Sequence, residues 1–101
     1  MSIVLVALMN LTQIQLPPSA RRDDIVVYEA SGLVAPCREE AEAYFVGQGH
    51  TTYQWAASHK SRGNVLHVEG RLRVGHDDVQ VRCRLPRGGR RTYMVLEVDR
   101  P

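Results

Sequence analysis

Two cysteines in 101 residues are too few for a disulfide framework. Buried free thiols are the expected state of Cys37 and Cys83, with a single disulfide as the alternative in an exported chain. No Cys-x-x-Cys and no His-x-x-x-His helix spacing occurs, so no metal site is expected. Gly-x-Ser-x-Gly, the phosphate-binding loop and the dinucleotide fingerprint are absent as well, and with them any sign of a cofactor. Charge of one sign is also scarce. Thirteen Lys and Arg stand against eleven Asp and Glu, a net charge of +2, which excludes a polybasic nucleic-acid tail. Any basic patch must come from local arrangement. The one strongly apolar stretch, Met1 to Met9, stops at Asn10, far short of the ~20 residues that span a bilayer. No Lys or Arg precedes it, so the start of a secretory signal is missing. It reads as a buried strand, and a cytoplasmic protein with no membrane contact is expected.

What is present is ordinary for a globular chain: 44% hydrophobic and 24% charged residues. A single domain covering 1–101 with one modest core follows. Ile3–Leu8 suits a covered strand, and Leu11–Leu16 a second or a continuation of it. Pro17 to Asp24 breaks the pattern, and Ile25–Glu29 returns as a short strand. Pro36 is then placed to open a helix that runs to Val46, with Glu39, Glu40 and Glu42 near its positive end. Cys37, Ala41, Tyr44 and Phe45 form its apolar stripe, and Gly47 and Gly49 are expected to end it in the left-handed conformation.

Beyond the helix the apolar period changes to two. Tyr53, Trp55 and Ala57 alternate with polar or small neighbours. Leu66, Val68, Gly70, Leu72 and Val74 alternate with His67, Glu69, Arg71 and Arg73, and Val79, Val81, Cys83 and Leu85 with Gln80, Arg82 and Arg84. Met94, Leu96 and Val98 complete the series. Short turns make these strands neighbours in an antiparallel meander. The expected architecture is α+β: an N-terminal strand pair, one amphipathic helix, and a four-strand meander packed against it.

If Gly75–Asp78 is a four-residue loop, Val74 pairs with Val79, Leu72 with Val81 and Gly70 with Cys83. If Pro86–Gly89 is the next loop, Val81 pairs with Met94. The outer face then sets Arg71 beside Arg82, Arg82 beside Tyr93, and Arg84 between Glu69 and Arg91. Like charges opposite each other are destabilising, so this register calls for compensation by Glu69, Glu97 or a bound anion.

Arg71, Arg73, Arg82, Arg84, Arg91 and Tyr93 are accordingly the candidate nucleic-acid or anion surface, with guanidinium forks for phosphate and one aromatic ring for a base. His67 and Glu69 point the same way and are the candidate catalytic pair of a metal-independent ribonuclease. The ordinary alternative is a Glu69–Arg84 ion pair beside a surface histidine. Tyr44, Phe45, Trp55 and Leu66 are candidates for an apolar ligand pocket between helix and sheet. His76, Asp77 and Asp78 read as a turn. The function expected from these residues is a small non-catalytic binding or interaction protein, self-associating or bound to a protein partner, because one helix leaves apolar surface uncovered. An RNA-binding or RNA-cleaving protein and a small-ligand binder are the alternatives.

Overall fold

The computed structural model describes residues 25–99. The expected strands at Ile3–Leu8 and Leu11–Leu16 lie outside the described residues. Strand β1 (Val26–Val27) is followed by a 3-10 turn (Ala30–Leu33) and helix α1 (Val34–Val46). Then come β2 (Thr52–Arg62), β3 (Val65–Val74), β4 (Asp77–Pro86), the short β5 (Gly89–Arg90), a 3-10 turn (Arg91–Tyr93) and β6 (Val95–Asp99). The sheet order is β2-β3-β4-β6, antiparallel throughout, with β1 and β5 forming a separate two-strand ribbon. This is the expected α+β class, with one α-helix among the described residues, packed on one face of the sheet. Among the described residues no helix is long and apolar enough to cross a membrane.

The helix begins earlier than Pro36. The 3-10 turn has already started the right-handed winding, and Pro36 falls at the third helical residue, where its missing N–H still costs no intrahelical bond. The glutamates are thereby displaced to mid-helix, and the first turn holds no acidic residue. Gly47 continues the right-handed turn at φ −62°, and the left-handed glycine is Gly49 at φ 87°. The buried row is Cys37, Ala41 and Phe45, each four residues from the next, as helical spacing requires. Tyr44 departs from the expected stripe and is 43% exposed. The row meets Leu66, Val68, Leu72, Val81, Cys83 and Leu85 on the inner face of β3 and β4, all fully buried or nearly so.

Cys37 and Cys83 are not free thiols. They form a disulfide between helix and β4 with a Cα–Cα distance of 5.9 Å, and both residues are buried. Each periodicity does place its own cysteine on the inward face of its element. That the two residues sit at the same level of the core is a product of tertiary packing, which neither periodicity contains.

Both hairpins close with two-residue turns. Arg62 pairs with Val65 across Gly63-Asn64, and Val74 with Asp77 across Gly75-His76. Gly63 and Gly75 have φ of 61° and 60° at the first turn position, the geometry whose twist matches the flanking strands. The second turn is thus shorter than the expected four residues. Val81 moves opposite Gly70 and Cys83 opposite Val68, a slip of two positions that preserves every face.

The last hairpin is a detour. Pro86 and Gly88, at φ 80°, turn the chain towards β1, where the Gly88 N–H donates to the Val27 carbonyl and the Arg91 N–H to the Ile25 carbonyl, each at 2.8 Å. β6 then pairs with β4 so that Val81 faces Val98, in place of the expected Met94. The 3-10 turn also carries Arg91 off the outer face. Its side chain is 8% exposed, its Nη2 donates to Glu39 Oε2, and its Nε has no hydrogen-bond partner among the described residues. Tyr93 lies on the same turn, 67% exposed, and not in the sheet.

In β2 the register shifts by one residue between Thr52 and Trp55. This bulge reverses side-chain parity and leaves Tyr53, expected on the core face, 55% exposed. Trp55 stays inside. Its ring lies across Gly70, filling the space where any other residue would place a Cβ. Gly70→Ala is therefore expected to displace the indole, red-shift Trp55 fluorescence and cost about 1–3 kcal/mol, as overpacking does. An unshifted spectrum and unchanged melting would show that the ring does not depend on the glycine.

Candidate functional site

The outer face of the sheet is a ladder of cross-strand neighbours. His67 faces Arg84, Glu69 faces Arg82, Arg71 faces Gln80 and Arg73 faces Asp78. On the other side of β4, Arg82 faces Glu97 and Arg84 faces Val95. The expected juxtaposition of Arg71 with Arg82 and of Arg84 with Arg91 does not occur. The two-residue turn sets Glu69 opposite Arg82 and Asp78 opposite Arg73, opposite-charge pairs that favour a sheet, and the 3-10 turn takes Arg91 out of the sheet.

Two of these arginines are engaged. Arg73 Nε donates to Asp78 Oδ1 at 3.0 Å and Nη2 to Oδ2 at 3.3 Å, a forked contact. That hydrogen bond, and then the carboxylate's charge, raises the Arg73 pKa above its ordinary value. Arg84 Nη2 lies 3.1 Å from Glu97 Oε1. Arg71 and Arg82 have no ion pair among the described residues.

Among the described residues, hollows open on and beside this face. One of about 380 Å³ is bounded by Ala56 and Ser58 of β2, Glu69 and Arg71 of β3, and Gln80 and Arg82 of β4. A second of about 520 Å³ lies between Arg38 of the helix, Tyr53 and Trp55 of β2, and Arg71, Arg73 and Asp78. A third, about 90 Å³, gathers His67 and Glu69 with Ser58, His59 and Lys60. The predicted pair His67 and Glu69 thus shares a hollow. His59 and Lys60 were not anticipated beside it. The Gly63-Asn64 dipeptide is the signal that could have found Lys60, because a two-residue turn there sets Lys60 opposite His67.

The four pocket candidates do not converge on an opening. Phe45 and Leu66 are fully buried in the core, Trp55 packs against it over Gly70, and Tyr44 is on the exposed side of the helix. Among the described residues no group of three or more His, Cys, Asp or Glu is arranged to hold a metal ion.

The most unusual feature is the edge formed by β2. It is eleven residues long, has one strand neighbour among the described residues, and from Ala56 to Arg62 every residue is exposed. Arg62 and Val65 flank a two-residue turn and so exchange backbone hydrogen bonds. By alternation Lys60, Ser58 and Ala56 also face β3 with their N–H and C=O groups. Trp55, Ala57, His59 and Ser61 turn theirs to the open side. Known proteins offer no guide to this edge: the chain matches no family model, no curated protein and no solved structure.

Proposed function

We propose that this protein is a non-catalytic interaction module that works by strand addition at the open edge of β2, and that its partner is a second copy of the chain. One observation carries this: seven consecutive residues of a long strand, Ala56 to Arg62, are exposed, and among the described residues β2 has a strand neighbour on one side alone. Such an edge is a template for another strand. An antiparallel pair related by a two-fold axis at Ala57 sets Ala57 opposite Ala57, an outward-facing position able to exchange backbone bonds. Trp55 then meets His59, Gln54 meets Lys60 and Thr52 meets Arg62. No two like charges oppose each other, because the neutral start of the strand covers the basic end of its partner. Closed symmetric pairing of this kind is the commonest form of self-association.

The arginine face gives less support to a nucleic-acid track, since Asp78, Glu69 and Glu97 stand directly opposite Arg73 and Arg82. The buried disulfide supports folding in an oxidising compartment, in place of the cytoplasm expected from the sequence.

Proline scanning of the edge is the test. Ala57→Pro removes an N–H that points outwards, a position where edge strands tolerate proline. It should turn a dimer into a monomer in sedimentation while leaving the melting temperature nearly unchanged. Ser58→Pro removes an N–H from the β2–β3 ladder and should cost about 1–3 kcal/mol of stability. A parent chain that sediments as a monomer at high concentration, or an Ala57→Pro variant that still associates, would overturn the assignment.

A further inference from the structure

The hollow of about 380 Å³ on the outer face lies within one copy of the chain and owes nothing to strand pairing. It exists because Ala56 and Ser58 are short, while the side chains beside them on β3 and β4 are long. Two arginines, Arg71 and Arg82, border it from adjacent strands. Arg71 has only Ala56 and Gln80 as cross-strand neighbours. Arg82 stands between Glu69 and Glu97, but the Glu97 carboxylate is bonded to Arg84. Elsewhere on the face Arg73 and Arg84 are held by acids. Arg71 and Arg82, which have no ion pair among the described residues, therefore meet at this opening.

Two forked cations at one opening suit the oxygens of a single phosphate, which would also relieve their mutual repulsion. The Ser58 hydroxyl and the Gln80 amide border the same space and add donors. Glu69 has no ion pair among the described residues and contributes carboxylate oxygens that accept O–H groups. The volume falls in the range of roughly 300–1,000 Å³ typical of small-molecule sites. We infer that this hollow binds a small phosphate monoester that also carries hydroxyl groups, with its phosphate between Arg71 and Arg82 and its hydroxyls towards Glu69 and Ser58. A polyanionic strand is a poorer fit, because the neighbouring arginines are already neutralised.

Arginine Nε–Hε resonances, followed by NMR during titration with inorganic phosphate and separately with glucose 6-phosphate, test the site. Both ligands should shift the Arg71 and Arg82 signals, and glucose 6-phosphate should bind the more tightly. Arg71→Gln and Arg82→Gln should each weaken both ligands by about tenfold, the value of one hydrogen bond to a charged group. Glu69→Gln should remove the preference for the sugar phosphate and leave inorganic phosphate unaffected. All three positions are exposed, and Trp55 fluorescence confirms that each variant keeps its fold. Absent shifts, phosphate binding that persists in the double arginine variant when followed by backbone amide shifts around the hollow (an adventitious ion only), or equal affinity for the two ligands would overturn the inference. So would displacement of glucose 6-phosphate by a single-stranded oligonucleotide at lower concentration, since that would make the face a polyanion surface.

Discussion

Replacing Cys37 and Cys83 together by alanine is expected to lower stability by on the order of 4 kcal/mol. The bond closes a loop with a sequence separation of 46 residues, and the chain-entropy estimate for such a loop is of that size. In melting temperature this is a fall of roughly 15–30 °C for a domain of this length. The effect is large because of where the bond lies. It joins the first turn of helix α1 to β4, which has strand neighbours on both sides, and both cysteines are buried. Thermal denaturation of the oxidised chain with and without a reductant gives the same comparison in the native sequence. A melting temperature that moves by only a few degrees would mean that the helix is held to the sheet by packing alone.

Phe45→Ala is expected to cost about 3–5 kcal/mol, whereas Tyr44→Ala should change stability by less than about 1 kcal/mol. The two rings are adjacent in sequence and touch edge to face with centroids 5.0 Å apart. Only Phe45 belongs to the core row, where it is fully buried and its loss would leave a cavity that relaxes only in part. Chemical denaturation of the two variants separates the cases. Equal losses would place both rings in the core and make the observed helix rotation wrong.

The alternation from Leu66 onwards was legible, and with it the composition of both faces of β3 and β4. Period-two patterning survives any slip by an even number of residues, so it fixes faces and leaves register open. The register was nonetheless encoded. Opposing Arg71 to Arg82 is electrostatically poor, and a shift of two positions exchanges it for Glu69 with Arg82 and Arg73 with Asp78. The repulsion was itself the sign that the Gly75-His76 turn has two residues. Arg91 could not be placed in this way. Its burial follows from the ribbon of β1 and β5, a contact between the two ends of the described chain that leaves no local pattern. The Tyr53 bulge and the disulfide were likewise invisible, since both depend on what a distant strand or helix presents.

For the candidate site, parity brought His67, Glu69, Arg71, Arg73, Arg82 and Arg84 onto one face, as the structure has them. Which arginines lack an ion pair depends on register, and the hollow depends on short residues of a neighbouring strand. Neither can be read along the strand that carries the arginines. The open edge was implied by calling β2 the fourth strand, but its exposed length is set by how far the helix reaches.

The tight glycine turns at Gly63 and Gly75 also bear on how the chain assembles. β2, β3 and β4 meet residues close to them in sequence, so little entropy is lost in bringing them together. Such pairings form fast, and this meander is the natural nucleus. β6 must wait for the excursion through β5, and the helix for its docking onto Cys83. The edge of β2 that faces away from β3 is thus extended from the earliest stage, while the core behind it is still open.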